Sequence, residues 1–398
     1  MSLLHYIIPE HIIKIMRLME EQNFSPYLVG GCVRDFIMGK TPHDYDITVG
    51  ALPEEISELF ESKGFRTIPK GRKFGTVGVL SENEVVEITP YRIESEYNDS
   101  RHPDKVEFVK DIKLDLARRD FTINAMAMDT DGNILDIFGG IDDIQNKILR
   151  CVGNADERFR EDALRILRAI RFASRLGFSI ESETRKAMSY SKTLLKKISS
   201  ERIYSELKST LFFPHSYDIL SDCIDIINSI IPDFTPNEFL RSGNGDFPAR
   251  FLSCVSHCNI DNVYNICSEL KLSNYETDKI TSMHTLYNSV LTRNGKKIIF
   301  DEKTKIALCD YKTEYIEDLF VLSDSETTEL HYFIKNGVYT LQKLAISGGD
   351  IASMNIFPKN ETAKILHSVL YQVSLGKTLN TKASITQFLL DLHKKESE

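Results

Sequence analysis

The chain has 398 residues, 42% of them hydrophobic and 27% charged, with 58 acidic against 49 basic side chains and a formal net charge of −9. Its length suits roughly two or three domains of about 150 residues each, and its composition is that of an ordinary globular protein, which excludes a disordered or low-complexity chain. The acidic total excludes a bulk polycation for nucleic acid or membrane, so any polyanion must meet a local basic stripe.

No apolar run reaches the roughly 18 residues that span a bilayer. The start, Met1-Ser2-Leu3-Leu4-His5, lacks the cationic and apolar regions of a secretory signal. Seven cysteines, odd in number and scattered, fit reduced thiols better than a disulfide framework. A cytoplasmic protein without membrane association is expected. Trp is absent, so stacking on a base falls to Tyr, Phe, His or Arg.

In chain order, an amphipathic stretch from Pro9 to Glu21 predicts a helix, and Tyr27-Leu28-Val29-Gly30-Gly31 is an apolar run broken by two glycines. The alternation in Asp44-Tyr45-Asp46-Ile47-Thr48-Val49 predicts a strand. Pro53 to Lys63 predicts a second helix, and strand-rich segments follow at Phe74 to Leu80, Val85 to Arg92 and Val106 to Val109. From about Ile144 helical patterns dominate, among them Glu161 to Leu176 and Ser200 to Phe212. Loops are expected at Arg241 to Asp246 and Arg293 to Lys296, and no internal repeat is visible.

Asp44 and Asp46, two apart on a strand, share a face. Paired carboxylates repel unless a cation sits between them, and oxygen ligands suit Mg²⁺, which keeps sites open for phosphate oxygens. Glu87, on another predicted strand, offers a third carboxylate. Upstream, Gly30-Gly31 lets a backbone approach a phosphate, with Arg34 adding charge. A glycine pair alone is a weak signal and Asp-x-Asp often marks a solvated strand end; together they suggest a nucleoside triphosphate site.

In Glu161 to Ala173, Arg165, Arg168 and Arg171 follow Asp162 at steps of three on an otherwise apolar helix. Buried arginines need anionic partners, either Glu157, Glu161 and Asp162 in an internal network, or a nucleotide. An Asp162–Arg165 pair would accept from the exocyclic amino group of cytosine or adenine and donate to the adjacent ring nitrogen, a pattern that guanine and uracil reverse. In Arg118-Arg119-Asp120-Phe121-Thr122-Ile123-Asn124, Arg119, Asp120 and Asn124 have the chemistry to meet ribose hydroxyls, although the segment also reads as a solvated helix or strand start.

These motifs in this order resemble the class II tRNA nucleotidyltransferases, the CCA-adding family. The matching stretches are Leu28 to Asp35 with Asp44-Tyr45-Asp46, Gly71-Arg72-Lys73-Phe74-Gly75-Thr76, Arg118 to Ala125, Asp136-Ile137-Phe138-Gly139-Gly140, and Glu161 to Arg168. The likeness is strong from about residue 25 to 210 and weak beyond. The resemblance implies an α+β fold: a polymerase-β-type nucleotidyltransferase head with a mixed sheet (1–140), then an elongated all-helical neck (141–210), body (211–300) and tail (301–398). It implies addition of C, C and A to the 3′ end of tRNA from CTP and ATP, with tRNA held by its acceptor arm and no obligate protein partner. Asp44 and Asp46 would hold Mg²⁺, with Glu87 as third carboxylate. Gly30, Gly31 and Arg34 would hold the phosphates, and Arg119, Asp120 and Asn124 the ribose. Asp162 and Arg165 would be the base template, supported by Arg168 and Arg171. Two metals would activate the RNA 3′-hydroxyl and stabilise the leaving pyrophosphate.

A poly(A) polymerase of the same superfamily typically carries Gly-Arg-Arg-Phe-Arg where this chain has Phe74-Gly75-Thr76. A CC-only relative typically lacks part of the loop between Arg92 and Lys105, which is full length here; an A-only enzyme stays compatible. In the resembling family that loop re-spaces the template between C and A. A non-catalytic RNA-binding protein would have no evident use for both aspartates. Cys254-x-x-His257-Cys258 lacks a second half for zinc, so these cysteines are expected in a core, and His43 in a solvated loop. Lys186, Lys192, Lys196, Lys197, Arg202 and Lys208 are candidates for a basic side or for a solvated helix face.

Overall fold

The computed structural model describes residues 8–69, 75–82, 84–95, 105–290, 298–323 and 328–397. The Gly71 to Phe74 part of the Gly71–Thr76 stretch, most of the Arg92 to Lys105 loop and the expected loop at Arg293 to Lys296 lie outside the described residues. The chain divides into two compact units, Met1–Pro232 and Asp233–Glu398.

The first unit opens with helix α1 (Glu10–Glu20), whose Ile12, Ile15, Met16 and Met19 make one buried face. Strand β1 (Pro26–Val29), helix α2 (Gly31–Ile37), strand β2 (Ile47–Val49) and helix α3 (Pro53–Ser62) follow. Helix α3 starts on Pro53, and the Glu55 carboxylate accepts from the Leu52 N–H at 2.7 Å, a cap suited to the free donors of a first turn. Strands β3 (Arg66–Pro69), β4 (Val77–Ser81) and β5 (Glu84–Pro90) come next, then a separate antiparallel hairpin of β6 (Arg92–Ser95) and β7 (Lys105–Phe108). Helix α4 (Ile112–Ala117), a 3₁₀ turn at Thr122–Asn124, and strands β8 (Met126–Met128) and β9 (Ile134–Asp136) complete the sheet region.

The main sheet has the order β3-β4-β5-β2-β1-β8-β9. All its pairings are antiparallel except β2 with β5, which run parallel with Ile47 opposite Ile88. This is the mixed sheet with helices expected of the head. The β2 strand, buried throughout, begins at Ile47, so Asp44 and Asp46 stand on the extended lead-in rather than on the strand. The alternation continues past the pairing because the Asp46 carbonyl still accepts from the Val29 N–H at 3.0 Å.

Helices α5 (Gly140–Gln145), α6 (Ala155–Glu161), α7 (Leu164–Leu176), α8 (Ser182–Ser191) and α9 (Ser200–Thr210) follow. The single helix expected from Glu161 to Leu176 is two. Asp162 is extended, with φ −141° and ψ 102°, and its Oδ1 accepts from the Leu164 N–H at 3.0 Å, so its side chain starts α7 instead of continuing α6.

The second unit is helical, with a core that includes Leu252, Met283, Leu286, Ile316, Leu319 and Phe320. Lys279, only 3% exposed, donates to Asp246 at 2.8 Å and pairs with Asp318 at 2.5 Å. Burial opposes its charge, but these two carboxylates hold it above the usual lysine range. Cys254 and Cys258 are buried, as expected. Among the described residues no helix is long and apolar enough to cross a membrane.

Gly140 starts α5 where a Cβ would lie 2.4 Å from the Thr122 carbonyl oxygen and 2.8 Å from the Met126 sulfur. A backbone oxygen cannot swing aside, so Gly140→Ala is expected to destabilise the first unit by about 2–3 kcal/mol, read as a lower thermal midpoint.

Candidate active site

Ile47 faces Ile88 across the parallel pair, which sets Asp46 level with Glu87, and Asp44 lies two residues further back. Asp44, Asp46 and Glu87 line one cavity of about 420 Å³ together with His43, Tyr45 and Glu84. The Asp46 carboxyl is held above its ordinary value, first by desolvation, with Glu87 and Asp44 adding repulsion and Arg119 opposing both. Among the described residues no three His, Cys, Asp or Glu side chains are gathered closely enough to hold a metal ion.

Gly30 connects this cavity to the arginines. Its φ is +75°, a left-handed value that favours glycine, and a Cβ there would lie 3.2 Å from Arg119 Nη1 and 4.0 Å from Asp46 Oδ2. The Arg119 guanidinium therefore rests on bare backbone beside the carboxylates. A Cβ on Gly31 would meet Arg34 Nη2 at 3.4 Å. Arg34 itself is 2% exposed; it donates to Asp35 at 2.8 and 2.9 Å and to Asn124 Oδ1 at 2.8 Å. Asn124 in turn donates to Asp120.

Asp120 closes the network. Its Oδ2 accepts from Arg168 Nε at 3.0 Å and Nη2 at 2.7 Å, and its Oδ1 accepts from its neighbour's N–H, that of Phe121, at 2.9 Å. Burial alone would raise the Asp120 carboxyl, but the Arg168 charge and hydrogen bonds carry it below the usual range. Arg171 Nε donates to Glu206 on α9 at 2.5 Å. Arg34, Arg168 and Arg171 place their guanidinium carbons 5.7, 5.4 and 4.4 Å from the centre of the Phe172 ring. The stripe thus finds carboxylates on other elements rather than only in its own helix.

The side chains of Asp162 and Arg165 are not paired with each other, although the Arg165 backbone N–H donates to the Asp162 carbonyl at 3.1 Å. Asp162 Oδ2 accepts from Arg202 Nη2 at 3.0 Å. Arg165, 8% exposed, donates to Glu161 at 2.8 Å, to the Arg158 carbonyl at 3.3 Å and to the Arg118 carbonyl at 3.2 Å. Sequence reasoning missed Asp35, Asp115, Phe172 and Glu206. Asp115 carried a usable signal, an aspartate three and four residues before Arg118 and Arg119 on a helix. Of the basic candidates, Lys186 pairs with Glu183, Lys192 with Asp225 and Arg202 with Asp162, while Lys196 and Lys197 are exposed.

The model of the poly A polymerase head domain matches residues 26–150, and that of a probable RNA- and SrmB-binding site of polymerase A matches residues 177–225. The CCA-adding enzyme of Staphylococcus haemolyticus is 34% identical over 393 residues, covering 94% of this chain and 95% of that one. The chain belongs to the CCA-adding enzyme family. The CCA-adding enzyme of Lactobacillus helveticus is 45% identical over 231 residues, which span 57% of each chain. The crystal structure of the Bacillus stearothermophilus CCA-adding enzyme in complex with CTP matches with a TM-score of 0.68 and 27% identity, covering 98% of both chains. Membership makes the chain a nucleotidyltransferase of tRNA processing, with the mixed-sheet head seen here.

Because the folded Asp120 carboxyl lies below its unfolded value, its stabilising charge is present above about pH 3.9 and is lost as the pH falls further, through the folded value. Asp120→Asn is expected to cost about 1–3 kcal/mol at pH 7, because the amide oxygen still accepts from Arg168 but brings no charge to it, and Arg168 is partly exposed. Thermal midpoints measured from pH 7 downward should show a lower plateau and a shallower acid fall than the parent.

Proposed function

We propose that the protein adds C, C and A to the 3′ end of tRNA from CTP and ATP, releasing pyrophosphate. The observation that carries this reading is that Asp44, Asp46 and Glu87 line one cavity while Gly30, against which Arg119 rests, lies beside Asp46, so that the acidic motif and the arginine motif adjoin. The CTP bound by the Bacillus stearothermophilus relative supports CTP as a substrate here.

Asp44 and Asp46 are assigned to Mg²⁺, with Glu87 as third carboxylate. An all-oxygen donor set suits this ion, and Mg²⁺ is usually held by one or two carboxylates plus substrate phosphates, so a closed protein cage is not required. Burial, and after it repulsion from Glu87 and Asp44, raises Asp46, and a bound cation relieves that repulsion. When bound, Mg²⁺ supplies charge neutralisation and lowers the pKa of a coordinated hydroxyl. The chain's own residues position the reactants, which is most of what phosphoryl transfer asks of a protein. Gly30 and Gly31 give the triphosphate access to backbone, with Arg34 beneath it, and Arg119 is assigned to the ribose. Arg34, Asp120 and Asn124, bonded among themselves, form the floor beneath phosphates and ribose.

Asp162 and Arg165 are assigned to the base. Each Asp162 oxygen accepts one N–H, from Leu164 or Arg202, and a carboxylate oxygen has room for a second. The three bonds described for Arg165 engage three of the five N–H groups a guanidinium carries. This capacity fits the amino group and ring nitrogen of cytosine or adenine and opposes guanine and uracil. Arg168 and Arg171 support the template and the triphosphate. The segment between β6 and β7 is assigned the re-spacing that lets one template take a pyrimidine and then a purine.

The test is tRNA lacking its 3′ end, incubated with single labelled nucleotides. Incorporation of C, then of A only after C, supports the reading. Addition of A alone to tRNA ending in CC makes the protein an A-adding specialist, and no addition defeats the proposal. Asp46→Ala is expected to lower the addition rate by about 100-fold or more while tRNA binding in a filter assay stays close to parental. Arg165→Ala is expected to admit UTP and GTP at the expense of CTP and ATP; unchanged discrimination in four parallel single-nucleotide reactions removes the template role from this residue.

A further inference from the structure

Asp115 lies on α4, outside every motif described above, and its side chain is completely buried. Its carboxylate accepts four N–H groups. Arg118 donates to Oδ1 from Nε at 2.9 Å and from Nη2 at 2.8 Å, Arg119 Nη2 donates to Oδ2 at 3.1 Å, and the backbone N–H of Arg92 donates to Oδ1 at 3.3 Å. Four is about the full capacity of a carboxylate. Burial alone would raise this carboxyl, and the Arg119 and Arg118 charges carry it below the usual range, so it stays ionised.

The donors lead to three places. Arg119 is the guanidinium that rests on Gly30 beside Asp46. Arg118 offers its carbonyl to Arg165 Nη2 at 3.2 Å, so the position of its backbone bears on the base template. Arg92 is the first residue of β6, paired with Phe108 of β7, and opens the hairpin whose intervening segment is assigned the re-spacing. The carboxylate that accepts the Arg92 N–H is the one that holds Arg118 and Arg119.

We propose that Asp115 is a positioning residue that couples the β6–β7 hairpin to nucleotide choice. It fixes Arg119 against Gly30 beside Asp46 and the Arg118 backbone under Arg165, and it ties both to the start of the hairpin. The inference rests on the reading of the preceding subsection. Asp115 touches no substrate in this scheme; a salt bridge that served stability alone would leave the balance between C and A unaltered.

The decisive comparison is Arg92→Pro against Arg92→Ala. Both remove the side chain, but only proline removes the N–H, and the first residue of a strand accepts proline. KM and kcat are measured separately for CTP on tRNA lacking CCA and for ATP on tRNA ending in CC. Arg92→Pro is expected to lower kcat/KM for A relative to C by about ten-fold, as for the loss of a hydrogen bond to a charged group. Arg92→Ala is expected to keep the parental ratio. Asp115→Asn is expected to raise KM for both nucleotides more than it lowers kcat, and adding Arg92→Pro to it should change the C-to-A ratio no further. Arg118→Gln leaves Asp115 paired with Arg119 and should shift the ratio in the same direction by about three-fold, which keeps the question decidable if the other variants fail to give a cooperative melt. Equal ratios for Arg92→Pro and Arg92→Ala, or a parental ratio in Arg118→Gln, overturn the coupling. A parental protein that adds neither C nor A overturns the functional reading instead, whatever the variants do.

Discussion

A guanidinium keeps its charge wherever the fold puts it. Helix α7 places arginines among apolar residues, so its burial waits on carboxylates brought from elsewhere. Asp120 comes to Arg168 from the turn that follows α4, Glu206 comes to Arg171 from α9, and Glu161 comes to Arg165 from α6. The same rule governs the sheet side, where Asp35 serves Arg34 and Asp115 serves Arg119. Pairs of this kind add little net stability against a well-packed apolar replacement. Their effect is directional: a planar fork with fixed N–H vectors ties the sheet, α4, α7 and α9 into one arrangement. The Phe172 ring lies within 5.7 Å of three of the guanidinia, and Phe121 packs edge-on against it with ring centres 5.7 Å apart. The carboxylate cavity and the arginine frame are thus two parts of one charge arrangement, joined where Arg119 crosses Gly30.

Local motifs were the legible part. The glycine pair, the Asp44–Asp46 spacing and Glu87 on a neighbouring strand could be read because each depends on a few adjacent residues and on strand periodicity. The start of β2 was misplaced by three residues because the polar-apolar alternation outlasts the burial of the strand. The break at Asp162 was hidden for a related reason: a step of three from Asp162 to Arg165 mimics helix periodicity even though Asp162 is extended. What the sequence did not disclose was who pairs with whom. Arg168 meets Asp120 across 48 residues and Arg171 meets Glu206 across 35, and no local pattern announces either contact. The nearer partners Glu157, Glu161 and Asp162 looked sufficient, and only Glu161 is used by the stripe.

The parallel pairing of β2 with β5 has a consequence for how the molecule assembles. Ile47 and Ile88 are neighbours although α3, β3 and β4 lie between them in the chain, since parallel neighbours need a long crossover. Contacts of such wide sequence separation form late and slowly. A slip of one residue in this pairing would send Glu87 to the opposite face of the sheet, separating it from Asp46 while leaving much of the helical content intact. Circular dichroism would scarcely register the mispaired chain, whereas the carboxylate cavity would be broken. The juxtaposition of Asp46 with Glu87 therefore depends on the register of its own sheet: a chain paired one residue out would keep its helices and lose that arrangement.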